Sequence, residues 1–479
     1  MQSFWPRLGS LTQAADGLCV SGAEINTISS RYARRLTAAA PCHGRNVVIA
    51  HGNSARFFVD LLAVWQAGGC AVCVNAGLTP SELGRIVDFV DAACILTVEG
   101  QEISSARPVL DLEKADQEAD AHPADLDAAA LILFTSGTTG DPKGVVHTHR
   151  SIQARIALNA QVIGAETLAK TLCTLPTHFG HGLIGNCLSA LLTGGDVIIA
   201  GASGISLAQQ LSTLIDAHDI TFMSSVPALW KLALRLSAPP KGGSLRRVHI
   251  GSAPLSADLW RSVADWAGAA EVVNMYGITE TANWLGGASS KTHTPQDGLL
   301  GTLWGGDAAV LTDNGAIAAC GEGELLIRTP SLMQGYYQRP DLTDAAFHQG
   351  WYRTGDTGRI DGTGVLTLTG RNKSMINNAG IKIYPEELDL LFERHAQVAE
   401  ACAFGVEDAV SGEAVALAVV PAGDAPDPSA LRTWASEHIR AEALPRQIFV
   451  LDAIPKTDRG KINRETVRDH CLAQQKATS

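Results

Sequence analysis

The sequence predicts an α/β protein with a large N-terminal domain of parallel-rich sheets covered by helices, a β-rich subdomain within it, and a small α+β C-terminal domain. Three observations lead there. Short apolar, β-branched runs recur between helical patterns at 47–50, 131–134, 197–200, 248–250 and 271–275, and strands alternating with helices build a largely parallel sheet covered on both faces. From about residue 321 the texture changes to GELLIRTP and VLTLTGR, whose period-two alternation predicts strands exposed on one side. Beyond residue 370 a further segment has its own strand and helix patterns, broken by the loop PAGDAPDPS at 421–429. The expected domains are therefore 1–370 and 371–479.

At 479 residues the chain is too long for one ordinary core. The balance of 37 Lys plus Arg against 49 Asp plus Glu gives a net charge of -12, which repels a polyanionic backbone and makes nucleic acid and anionic membrane poor partners. The start MQSFWPRLGSLTQAADGLC lacks a basic segment followed by an apolar run, and nowhere does an uninterrupted apolar stretch reach the roughly 18 residues of a spanning helix. A cytoplasmic protein without a membrane span is expected. Ten scattered cysteines fit free thiols better than a disulfide framework. Cys70 and Cys73 form a CxxC inside AGGCAVCVN, but no second pair stands at zinc-ribbon spacing, so both are expected in a buried strand. The stretch 111–127 carries seven acids and a single base, Lys114, and is expected to be a solvated connection.

The strongest local signal is LILFTSGTTGDPKGVVHTH, in which an apolar strand runs into Thr135, Ser136, Gly137, Thr138, Thr139, Gly140, Asp141, Pro142, Lys143 and Gly144. Glycines let backbone N–H groups converge on an anion, hydroxyls add donors, and Lys143 adds positive charge. The order is not a Walker A loop, because Pro142 precedes Lys143 and Gly144 follows it. It resembles the phosphate loop of the adenylate-forming superfamily, which comprises acyl-CoA synthetases, aryl-acid ligases, nonribosomal adenylation domains and luciferases.

Further motifs stand in the family's order. Asn274, Met275, Tyr276, Gly277, Ile278, Thr279, Glu280 and Thr281 resemble the segment that stacks adenine on an aromatic ring, here Tyr276, and brings Thr279 and Glu280 to the phosphates. The resemblance makes Glu280 a magnesium ligand, with Thr135 beside it. Gly251, Ser252, Ala253 and Pro254 resemble the segment that lines the adenine pocket. Thr354, Gly355 and Asp356 are similar to the ribose-binding element, with Asp356 accepting both hydroxyls. Gly370, Arg371, Asn372 and Lys373 look like the interdomain crossover, with Arg371 reaching the nucleotide and Lys373 at the hinge. NNAGIKIYPEELD, with Gly380 and Lys382, resembles the loop facing the site during thioester formation, and 455–461 resembles the terminal motif whose lysine, Lys461, assists adenylation.

The resemblance implies an ATP- and magnesium-dependent enzyme that converts a carboxylate to an acyl-adenylate and then passes the acyl group to a thiol. That thiol is coenzyme A or the phosphopantetheine of an acyl carrier protein; every motif quoted is shared by both kinds of ligase. A nucleotide-binding regulator without catalysis fits less well, because Lys143, Glu280, Asp356, Arg371 and Lys461 are all retained. The family's acyl pocket corresponds here to PTHFGHGLIGNCL and ANWLGG. The stretch 176–188 has no acidic residue to hold an ammonium group, so a small acid other than an α-amino acid is expected. Any of His178, Phe179 and His181 could face it, and Trp284 is either the end wall of the pocket or core packing. His147 and His149 lack further ligands at metal spacing and are expected to pack.

Overall fold

The computed structural model of the chain describes residues 7–99, 103, 105–135, 143–378, 381–408, 411–457 and 461–478. Its strands form three sheets. In a seven-stranded sheet, Asn46–Ile49, Cys70–Cys73, Cys94–Leu96, Val109–Leu110 and Ala129–Thr135 run parallel, and Lys143–Thr148 and Gly335–Tyr336 extend it as antiparallel neighbours. Apolar runs here are continuous because both faces are covered: Val47 and Ile49 enter one core cluster and Val48 another.

A 15-stranded sheet has a parallel centre made of Lys170–Cys173, Asp196–Ile199, Phe222–Ser225, Arg247–Ile250 and Glu271–Ile278. Its faces are divided in the same way. Val197 and Ile199 join the core shared with the helices Gly22–Ala39 and Ala55–Gln66, while Ile198, Met223 and Val248 pack against the helices Gly204–Ala217, Pro227–Leu236 and Ala257–Ala267. Asn283–Ser289 then turns back antiparallel on Glu271–Ile278, and Leu299–Leu303 pairs with Leu366–Arg371 to carry the sheet into the strands Trp351–Ile360 and Gly321–Arg328.

The β-rich segment after residue 321 continues the large sheet through a change from parallel to antiparallel pairing. One expectation needs correction: its first strand is not exposed on one side, since Leu325, Leu326 and Ile327 are all 0% exposed, with Leu325 and Ile327 in the cluster that also holds Tyr276 and Leu366. Period-two alternation marks a half-solvated strand only where one face meets water.

The CxxC lies as expected in a buried strand with both thiols free, and burial raises both thiol pKa values. The acidic stretch is largely exposed, although Leu112 is buried and Arg56 binds Asp111 at 2.9 Å. Among the described residues no helix is long and apolar enough to cross a membrane.

The third sheet begins at Ile376. The antiparallel pair Val398–Asp408 and Gly412–Pro421 forms its centre. Ala401 and Ala403 face the cluster containing Leu388 and Leu431, while Cys402 and Phe404 face Val467 and Cys471 of the last helix. Arg464 ties that helix to the helix Pro385–Phe392 through Asp389 at 2.6 Å and Glu386 at 3.2 Å.

Candidate active site

Several of the expected site residues lie at the C-terminal ends of the parallel strands of the large sheet, the usual ligand position in such sheets. Ser224 closes Phe222–Ser225, Gly251 and Ser252 follow Arg247–Ile250, and Thr279–Thr281 forms a single helical turn after Glu271–Ile278. Facing them is the buried π-helical segment His181–Leu188, a geometry often found at functional sites.

His181 joins these elements. Its Nδ1 lies 2.7 Å from Ser252 Oγ and its Nε2 lies 2.6 Å from Ser224 Oγ. Ser252 reaches it from a backbone with φ 67°, an uncommon conformation for a serine. Burial, with a smaller contribution from the charge of Lys461, pushes the His181 pKa down to about 3. The charge of Lys461, far along the chain, therefore acts at this site. Beside Lys461, Thr457 N donates to Lys461 O at 2.8 Å and Lys456 forms an antiparallel bridge with Ile462.

The Thr279–Thr281 turn is held by its own carbonyls. His147 Nε2 lies 2.8 Å from Thr279 O, Met333 N donates to Glu280 O at 2.7 Å, and Ser331 Oγ donates to Thr281 O at 2.9 Å. Ser331 is in turn held by Arg155, which is buried and donates to Ser331 Oγ at 2.6 and 3.1 Å. A turn fixed in this way presents Glu280 in one orientation. The Glu280 carboxylate accepts from Tyr336 Oη at 2.8 Å and lies 3.9 Å from Lys143 Nζ, which sits 3.7 Å from the centre of the Tyr336 ring. Burial lowers the Lys143 pKa, and Glu280 partly offsets this. Lys373 also contributes to the field at Lys143. Thr135 pairs with Lys143 in the sheet. The Thr135 side chain and the expected loop residues Ser136, Gly137, Thr138, Thr139, Gly140, Asp141 and Pro142 lie outside the described residues, as do Gly380, Asp458, Arg459 and Gly460.

On the expected nucleoside side, Tyr276 Oη donates to Asp356 Oδ2 at 2.7 Å, and Arg371 Nε lies 2.9 Å from Asp356 Oδ1. Asp356 is 1% exposed, so each of its oxygens is matched by a donor from the chain. Its charge raises the Arg371 pKa. Gly277 is required here, because a Cβ would lie 2.4 Å from Asn283 O. Asn274 turns to a backbone group, its amide donating to Leu299 O at 2.7 Å. Ala253 and Pro254 follow Ser252 at the mouth of the site and are partly or fully exposed.

Trp284 is 1% exposed and stands between His181 and the interior. Its ring lies 5.8 Å from that of His181 and 4.5 Å from that of His249, with Phe222 and Trp304 at 6.0 and 6.4 Å. His178 and Phe179 pack on each other, with ring centres 3.9 Å apart, one turn before His181. Lys382 is elsewhere in this conformation, bonded to Asp313 at 2.7 Å. Sequence patterns did not single out Ser224, Tyr336, Arg155 or His249, because their partners are distant in the chain; the apolar strand running into Ser224 and Ser225 was the only local signal.

The AMP-binding enzyme family model matches residues 12–337, and the model of its C-terminal domain matches 387–461. The chain belongs to the AMP-binding enzyme family. It is 30% identical to oxalate–CoA ligase of Arabidopsis thaliana, over 94% of this chain and 93% of the relative, and 30% identical to feruloyl-CoA synthase of Amycolatopsis, over 94% of each. Among solved structures, o-succinylbenzoate coenzyme A synthetase of Bacillus subtilis, in complex with ATP and magnesium ion, superposes with a TM-score of 0.86 at 25% identity, covering 97% of both chains. This member of the family is an AMP-forming acid–thiol ligase: it activates a carboxylic acid with ATP and passes the acyl group to a thiol.

Proposed function

We propose that this ligase acts on a short carboxylic acid other than an α-amino acid, bound between Lys461 and the Trp284 wall with His181 alongside. The observation that carries this reading is the convergence of Ser224, Ser252 and Trp284 on His181 at the strand ends, where the charge of Lys461 is also felt. Trp284 and His249 fill the space behind His181, which leaves little depth for a long chain, and the segment 176–188 offers no carboxylate to an ammonium group.

In the first half-reaction the carboxylate attacks the α-phosphate in line and pyrophosphate leaves. The task of the protein is alignment and charge compensation. Lys461 would meet the carboxylate and α-phosphate, Lys143 the outgoing phosphates, and Asp356 the ribose hydroxyls beside the Tyr276 ring. Magnesium fits Glu280. A magnesium ion brought in on phosphates needs only one or two protein carboxylates, and among the described residues no group of three or more candidate ligands supplies a cage. When bound, the ion would offset phosphate charge, with Glu280 held toward it by Tyr336.

The second half-reaction requires the thiol to approach where Lys461 stands. A rotation of residues 371–479 about Lys373 would withdraw Lys461 and bring in the segment of Gly380 and Lys382. Tyr384 packs directly on Gly370, where a Cβ would lie 2.5 Å from the ring, so the crossover carries contacts that such a rotation must remake. The free cysteines suit a reducing cytoplasmic setting.

The test is acid-dependent ATP–pyrophosphate exchange over aliphatic and aromatic acids, with coenzyme A and a phosphopantetheinylated carrier protein compared as acceptors of the intermediate. Short acids and coenzyme A are expected. Lys461→Ala should abolish exchange and leave thioester formation from supplied acyl-adenylate largely intact; equal loss in both halves contradicts the assignment.

A further inference from the structure

The end wall of the acyl pocket is polar in a way that a plain alkyl acid does not use. Trp284, Asn283 and His249 are 1%, 7% and 0% exposed, yet Trp284 Nε1, Asn283 Nδ2 and both ring nitrogens of His249 have no hydrogen-bond partner among the described residues. Buried donors are ordinarily paired, and leaving one unpaired costs far more than a weak contact returns. These three side chains form one cluster, with the His249 and Trp284 rings in edge contact at 4.5 Å and Asn283 adjacent in sequence.

The backbone is bent to put them there. Ala282 and Asn283 are consecutive non-glycine residues with φ of 55° and 85°, a conformation that persists only where its surroundings enforce it and that concentrates at binding sites. Thr281 Oγ1 enforces it by donating to Asn283 O at 3.0 Å. On the opposite side, Gly185 lets the pair come close: a Cβ there would lie 2.3 Å from Asn283 Nδ2 and 2.9 Å from the Trp284 ring. Gly185 lies one turn beyond His181 on the same π-helical segment, and the Trp284 ring lies 5.8 Å from that of His181, which sets the unpaired donors beside the acyl site proposed above.

We infer that the substrate is a short acid bearing an uncharged hydrogen-bond acceptor, a hydroxyl or oxo oxygen, on its side chain, which Trp284 Nε1 and Asn283 Nδ2 bind. Indole and amide N–H groups donate and cannot accept, so the partner they need is an oxygen. An anionic end group is disfavoured because the nearby ionisable groups give it no free positive charge. His181 and His249 are buried and neutral, and Arg247, which lies over the outer ring Trp304, is matched by Glu271 at 3.5 Å. The inference rests on the ligase reading above and narrows its substrate class.

Pyrophosphate exchange with matched acids tests it: propionate against lactate and 3-hydroxypropionate, butyrate against 3-hydroxybutyrate and acetoacetate, with malonate and succinate as the charged arm. For the wild type, kcat/KM should favour the best hydroxy or oxo acid over its parent by at least about tenfold. Trp284→Phe, which keeps a ring and loses the N–H, should bring that ratio to near one, as should Asn283→Asp, which replaces the donor while keeping a residue tolerant of positive φ. A wild-type ratio at or below one, a preference for the diacids, or a ratio unmoved in folded Trp284→Phe would each overturn the proposal. If no acid of this panel supports exchange, the short-acid reading on which this inference rests fails; if parent acids exchange as well as their oxygenated counterparts, that reading stands and this one falls.

Discussion

Buried histidines govern how this protein responds to acid. Burial pushes His147 and His149 down to about 4 and His181 to about 3, and lowers His249 well below its usual range. The folded state therefore binds fewer protons than the unfolded chain below the ordinary histidine value of about 6.5. Stability is complete above that pH and falls as the pH drops toward 4. At pH 5, His147 and His149 should each cost about 2 kcal/mol. Calorimetric unfolding across pH 8 to 5 should show proton uptake on unfolding, and His147→Gln should take up about one proton fewer; a pH-independent melting temperature would contradict this. His181 was legible as a candidate because it stands in a recognisable segment, but the burial that keeps it neutral and the Ser224 and Ser252 hydroxyls that hold its ring come to it only on folding.

At the scale of single elements, the turn Thr279–Thr281 shows how a motif acquires rigidity. The sequence shows a Thr-Glu-Thr motif, whereas the three donors to its carbonyls come from His147, Met333 and Ser331. His147 lies on Lys143–Thr148, the strand that also carries Lys143, so one side chain couples the lysine strand to the Glu280 turn. His147→Leu, which leaves Thr279 O without that donor, should cost about 1–3 kcal/mol of stability and raise KM for ATP by roughly tenfold with a smaller effect on kcat. His147→Gln, which can still donate, should recover much of both. Equal losses in the two variants, measured by melting and by ATP-dependent exchange, would reduce His147 to ordinary packing. The expectation that the HxH packs rather than binds metal agrees with its positions, one histidine in the strand and the other opening the helix His149–Ile163.

At the scale of the whole molecule, among the described residues three ion pairs join residues beyond 371 to the body of the protein in this conformation: Lys231 with both oxygens of Glu393 at 2.9 Å, Arg394 with Asp297, and Lys382 with Asp313 at 2.7 Å. They are partly exposed, so together they are worth about 1 kcal/mol and are screened by salt. A bias of that size moves a two-state equilibrium by roughly fivefold. Glu393→Gln with Arg394→Gln should slow adenylation by about that factor, leave thioester formation unslowed, and make adenylation less sensitive to salt. Half-reactions compared at low and high ionic strength would show it; equal slowing of both halves would mean that the pairs stabilise the fold without favouring this arrangement.

By itself the sequence determined the family, the order of the motifs and the parallel α/β core, because these depend on local composition: apolar runs that must be buried, glycines and hydroxyls that cradle an anion, and a lysine at each end of the pattern. Tertiary structure alone decided that the β-rich strands continue the large sheet, that Leu325 to Ile327 are covered on both faces, and that Trp284 stands against His181 and His249. Pairing and burial are properties of neighbours from about thirty to a hundred residues apart, and alternation within one strand carries no record of them.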